Sequence, residues 1–95
     1  MIIEFDPVKS AANAKDRGLP FTKVDSFGWE GASFSEDPRF AYPERRVVAL
    51  GFLADRLHVV CFTPISGGVR VISFRKANKR EVRRYEQATS DGRER

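Results

Sequence analysis

The chain has 95 residues, 41% of them apolar, with eight Phe and a net charge of +4 from seventeen Lys and Arg against thirteen Asp and Glu. That length fits one domain and leaves no room for two, and charges interleaved with apolar residues exclude wholesale disorder. The single cysteine excludes an intrachain disulfide framework.

The opening Met1-Ile2-Ile3-Glu4-Phe5-Asp6 has no basic region and no long apolar core, so no signal peptide is expected. No run approaches the ~20 apolar residues that span a bilayer, so no membrane association and a cytoplasmic location are expected. A pI near 9.6 favours a polyanionic partner such as nucleic acid.

In chain order, Ile2-Ile3-Glu4-Phe5 reads as a short strand. Asp6 can cap a following helix, with Pro7 in its first turn and Gly18 as its stop after about Arg17. Val8, Ala11, Ala12 and Lys15 share one face of that helix, the expected inward stripe. Lys9, Asn13 and Asp16 or Arg17 fall on another face. Phe21, Val24 and Phe27, spaced three apart, suggest a second short helix ended by Gly28. Ala32 to Ser35 suggests a strand, and Asp37 to Pro43 a loop.

The strongest strand signals are Arg46 to Phe52, Leu57 to Thr63 and Val69 to Phe74, rich in β-branched and aromatic residues. Ala54-Asp55-Arg56 is a tight connection. Pro64 to Gly68 is a turn with glycines for left-handed positions. Asn78 with Glu81 three residues on is a capping-box pattern, and Val82 and Tyr85 mark the buried face of a last helix. The expected fold is α+β: a single antiparallel sheet of about four strands with two or three helices packed on it. The domain is expected over residues 1–88, followed by a polar flexible tail over 89–95.

Several of these stretches resemble one family. Phe5-Asp6-Pro7-x-Lys9, Asn13, Gly18, Arg45/Arg46 before Leu50-Gly51, Arg70-Val71-Ile72-Ser73-Phe74-Arg75-Lys76-Ala77 and the Glu81…Tyr85 helix are similar to BrnT toxins, from about Ile2 to Gln87. The resemblance implies a RelE-like fold and an endoribonuclease that cleaves RNA and inhibits translation and growth. It also implies a bacterial type II toxin–antitoxin pair. The partner would be a BrnA-type antitoxin with a ribbon-helix-helix region, and operator DNA would be met only through that antitoxin. Many members carry Lys-His-Gly where this chain has Asp16-Arg17-Gly18, so no histidine role is carried over here.

Cleaving RNA without a metal requires a base for the 2′-hydroxyl, positive charge around the pentavalent phosphorane and a proton for the leaving 5′-oxygen. Arginine meets the second need, since its planar fork binds phosphate at two points. Arg75, at a strand end in the resembling motif, is the first candidate, with Ser73 on its face by alternation. Arg70 lies five residues away, an odd spacing. Either a bulge intervenes or the two arginines do different jobs, and a second reading of Arg70 is an ion pair across the sheet.

Arg45 and Arg46 face opposite sides, and Arg46 matches the family arginine before Leu50-Gly51. Lys9 and Arg17 are further cationic candidates on the first helix, with exposed helical side chains as the alternative. Lys76, Lys79, Arg80 and Arg83 form a basic run that reads as an RNA-backbone contact, an antitoxin contact or a solvated face. Glu44 and Glu81 are candidate bases, Glu81 also serving as a cap. His58 sits mid-strand with Val60 and Phe62, as a half-buried structural residue, and Cys61 reads as a small buried hydrophobe. His58 and Cys61 point to opposite faces and cannot form a zinc site, so no metal or cofactor is expected. The competing function is a non-catalytic basic module that binds nucleic acid or the ribosome.

Overall fold

Three alternating apolar segments build the centre of the sheet as β3 (Val47–Leu53), β4 (Arg56–Ile65) and β5 (Gly68–Lys76). The computed structural model describes residues 1–37 and 44–93. Most of the expected loop at 37–43, including Phe40 and Tyr42, lies outside the described residues.

The meander closes through two short turns. Ala54 adopts a left-handed φ of 56° in the first, and Gly67 a φ of 79° in the second, where glycine carries no steric penalty. β2 (Ser33–Glu36) pairs antiparallel with β3. β1 (Ile2–Glu4) pairs with β5 in parallel. The strand order is β1-β5-β4-β3-β2, so the sheet is mixed and five-stranded, where about four antiparallel strands were expected. The difference is physical. A three-residue strand pairing far along the chain is fixed by tertiary contact, not by local pattern. Gly68 permits that contact, because a Cβ there would collide with the backbone of Ile2.

α1 (Pro7–Arg17) begins as expected: Asp6 Oδ1 accepts the Val8 N–H at 2.9 Å, and Gly18 ends the helix at φ 70°. Its inward face is not the expected one. Val8, Ala11 and Ala12 are exposed, whereas Ser10 is buried and Asn13 and Ala14 are half-buried. Hydrogen bonds replace apolar packing here. Ser10 Oγ accepts the Phe21 N–H at 2.9 Å. Asn13 Nδ2 donates to the Leu19 carbonyl at 2.7 Å and to the Phe74 carbonyl on β5 at 2.9 Å.

The second helix is a 3₁₀ helix over Phe21–Ser26. Its three-residue period is the spacing of Phe21, Val24 and Phe27, so all three turn inward together. With Leu19 they pack on Val47, Ala49, Val60, Phe62, Val69, Val71 and Phe74. Each fully buried Val or Phe in this layer contributes about 1.5–3 kcal/mol. A further 3₁₀ turn, Trp29–Gly31, carries Trp29 against Phe27 and Phe62.

The opposite face of the sheet is covered at one end by α2 (Lys79–Arg93). There Val82 and Tyr85 pack on Leu50, Leu57, Val59 and Ala77. The capping box forms in both directions. Asn78 Oδ1 accepts the Glu81 N–H at 2.8 Å, and Glu81 Oε1 accepts the Asn78 N–H at 2.9 Å. Among the described residues no helix is long and apolar enough to cross a membrane.

Candidate functional site

A β-bulge decides which arginines share a face. Cys61 pairs with Ser73 but Phe62 pairs with Val71, so Ile72 is an extra residue on β5. Arg70 therefore lies opposite Thr63, and Arg75 opposite Val59. Thr63 and Val59 are four apart on a strand, and hence on one face. The odd spacing of Arg70 and Arg75 becomes an even one. Both project from the face that carries α2, about 13 Å apart along the strand direction.

Three cross-strand rows make up this face. The first runs Glu4–Arg70–Thr63, the second Ser73–Cys61–Val48–Ser35, and the third Arg75–Val59–Leu50–Ser33. The middle row has small side chains, and Ser35 and Ser73 in it are exposed. A shallow pocket of about 140 Å³ lies where these rows meet α2, lined by Ser33, Ser35, Val48 and Val59 with Glu81 and Arg84 from the helix. The face is thus a small-residue trough with an arginine at each end.

Each arginine is held by carboxylates. Arg70 Nη2 lies 3.3 Å from Glu4 Oε1 and Arg70 Nη1 3.1 Å from Glu44 Oε2, with all three side chains partly exposed. Arg70 thus makes the expected ion pair across the sheet, with Glu4 on β1, and Glu44 is its second partner. Arg75 is bound end-on: Nη1 donates to Glu81 Oε1 and Nη2 to Glu81 Oε2, both at 2.8 Å. Nη1 also donates to the Lys76 carbonyl at 3.2 Å. The hydrogen bonds from Arg75 hold the Glu81 carboxyl below the usual carboxylate range. Burial opposes this, while the Asn78 N–H and the charges of Arg75 and Arg84 reinforce it. The same hydrogen bonds with Glu81 raise Arg75 further above its ordinary value.

The other candidates are distributed around this face. Arg46 directly precedes β3 and accepts the Asp37 N–H on its carbonyl at 3.0 Å. The register carried one step past Val47–Phe62 sets it beside Thr63, in the row of Arg70. Arg45 instead pairs with Glu36 at 2.6 Å in the open. Lys9 and Arg17 lie one helical turn either side of Asn13, which is tied to the β5 edge at Phe74. Both are exposed, and the structure draws neither into contact with Arg75.

Lys76, Lys79, Arg80 and Arg83 are all exposed. Lys79 and Arg83 border a larger groove between α2 and the β3–β4 turn, beside Phe52 and Arg56. His58 is buried on the opposite face, its Nδ1–H donating to the Arg56 carbonyl at 2.8 Å. Cys61 is only half-buried, on the trough face.

Sequence reasoning missed Glu4, Arg84 and the gripping role of Glu81. The spacing of Glu81 and Arg84, three residues apart on one helix, was the available signal for Arg84. Nothing local marked Glu4, which reaches Arg70 only through the parallel β1–β5 pairing.

A family model described as the ribonuclease toxin, BrnT, of type II toxin–antitoxin systems matches residues 5–81. The chain belongs to the BrnT toxin family. The match begins at Phe5 and ends at Glu81, so it includes Arg46, Arg70, Arg75 and the carboxylate that grips Arg75. Comparison with curated proteins gives no match. As a BrnT toxin the chain is a ribonuclease toxin of a type II pair and has an antitoxin partner.

Proposed function

We propose that this BrnT chain is a metal-independent endoribonuclease acting on the trough face, and that its cleavage of RNA inhibits translation and arrests growth. The observation that carries this reading is the bulge at Ile72, which sets Arg70 and Arg75 on one face at opposite ends of a small-residue trough. A phosphodiester lying along the trough meets cationic forks suited to phosphate oxygens. The 2′-hydroxyl gives up its proton to water as its oxygen bonds to phosphorus, the bond from phosphorus to the 5′-oxygen breaks, that oxygen takes a proton from water, and a 2′,3′-cyclic phosphate results. Arg75 supplies positive charge to the phosphorane, where preorganised donors act most strongly. Arg70 and Arg46 hold the flanking backbone.

Glu81 is not the base in this reading, because Arg75 occupies both of its oxygens. Lys79, Arg80 and Arg83 extend the phosphate-binding surface along α2, while Lys76 at the end of β5 and Lys9 and Arg17 on α1 add charge around it. Silencing falls to a BrnA-type antitoxin with a ribbon-helix-helix region. Its acidic residues compete with RNA for the arginines, and it alone contacts operator DNA. The fold relationship proposed is to RelE-type ribonucleases.

The test is incubation of purified protein with bacterial RNA in excess EDTA. Cleavage leaving cyclic phosphate ends is the expected outcome. A gel shift without cleavage would replace it with the non-catalytic binding reading.

A further inference from the structure

Arg75 has five N–H donors, and three are committed: two to Glu81 and one to the Lys76 carbonyl. The remaining two, Nε–H and the outer Nη2–H, form the side-on edge of the guanidinium. Among the described residues neither has a partner. We infer that Glu81 is the positioning residue of the site: it grips the end-on edge of Arg75 and leaves the side-on edge to receive an RNA phosphate. The inference rests on the trough face being the cleavage site.

Glu81 is itself immobilised. Its backbone N–H and its Oε1 are both tied to Asn78 in the capping box. The helix it starts is pinned by the Tyr85 hydroxyl, which donates to the Gly31 carbonyl at 2.7 Å, and by the edge-on contact of Tyr85 with Phe52. The guanidinium therefore inherits the position of α2. Exposure has the right asymmetry, the Arg75 side chain being 38% exposed and that of Glu81 17%. Solvent, and hence a phosphate, reaches the arginine more readily than the carboxylate.

The same contacts also fit an opposite role. Glu81 would then be a phosphate mimic that RNA must displace. The two roles predict opposite effects of weakening the grip, which makes them separable. A carboxylate that positions Arg75 raises the rate, whereas one that competes for it lowers RNA affinity.

Glu81→Gln isolates the grip from the cap, because Gln also serves at the third position of a capping box. It removes the charge and one of the two strong acceptors. The full chain and its variants are compared for cleavage of total bacterial RNA, with kcat, KM and thermal midpoint measured for each. The expected result for Glu81→Gln is a kcat per folded molecule lower by about ten- to a hundredfold, the scale of an ångström misplacement, with KM little changed and only a modest drop in thermal midpoint from the lost charge. A merely structural residue would move the midpoint and leave kcat per folded molecule intact. If Glu81→Gln does not fold, Glu81→Asp keeps the charge, shortens the reach and carries the same expectation.

Wild-type kcat in the folded variant, or tighter RNA binding, overturns the positioning role. Arg75→Ala in the same assay separates the two levels. If it cleaves like wild type, the trough is not the cleavage site. If it fails while Glu81→Gln is normal, only the positioning role is lost.

Discussion

Arg70 and Arg75 are held with different firmness. The pairs Arg70 makes with Glu4 and Glu44 are partly exposed, and such pairs contribute about 0–1 kcal/mol. A phosphate can therefore exchange for either carboxylate at little cost. Arg75 is gripped by a bidentate, half-buried partner, and its geometry survives ligand exchange. Their shared face depends on one residue, Ile72, whose type gives no sign of a bulge. The alternation rule identified the odd spacing in the sequence, but the choice between a bulge and separate roles needed the pairing with β4.

His58 was legible as a structural residue from its neighbours in an apolar run, although the half-burial expected is full burial in the structure. Its burial beside Phe74 and its bond to Arg56 tie it to stability. His58→Gln is expected to cost about 1–3 kcal/mol and to leave cleavage per folded molecule within a few-fold of wild type. Thermal melts and cleavage rates on the same samples check this. A loss beyond about a hundredfold, the scale of general acid–base catalysis, with an unchanged melt would give the ring a chemical role.

At the scale of elements, the two α-helices differ in how far the sequence disclosed them. The ends of α1 and the start of α2 were readable because Asp6, Gly18, Asn78 and Glu81 are local capping signals. The buried face of α1 was not, because Ser10 and Asn13 turn inward to satisfy the Phe21 N–H and the carbonyls of Leu19 and Phe74. An apolar-stripe rule selects Val8, Ala11 and Ala12 instead. β1 was recognised as a strand, while its parallel pairing was not.

α2 depends on ionised Glu81, and this sets a pH dependence. The folded-state carboxyl lies below its ordinary value, so the folded chain releases this proton more readily than the unfolded chain. The stabilisation is fully present above the unfolded carboxylate value of about 4.3. It is lost as pH falls through the lower folded value. Acidification below about pH 4 is therefore expected to weaken the docking of α2 first. Hydrogen exchange should show faster exchange in residues 82–89 than in β4, and Glu81→Gln should flatten that pH response. Equal loss of protection in α2 and β4 in both proteins would contradict it.

Over the whole molecule, the sheet separates stability from chemistry. One face carries the aromatic core of Phe21, Phe27, Phe62 and Phe74, and the other carries the arginines and the trough. The rear face carries the larger core, while the arginine face is packed only at one end, where α2 covers Leu50, Leu57 and Val59 and leaves Ser35 and Ser73 of the middle row exposed. The +4 charge would attract RNA and an acidic antitoxin segment alike, and in the proposed function the two compete for one surface. The overall class was legible because α+β follows from the order of periodic segments. The ribonuclease reading came from resemblance, since arginines alone do not specify a reaction.

Whether the arginine trough cleaves RNA is decided by Arg75→Ala. Its cleavage rate is compared with that of wild type and of Lys23→Ala, an exposed lysine on the 3₁₀ helix behind the sheet. Each variant is first shown to be folded by its thermal melt. Arg75→Ala is expected to lose about 10²–10³ in rate and Lys23→Ala to cleave like wild type. Folded Arg75→Ala protein that cleaves RNA at the wild-type rate would contradict cleavage in the trough.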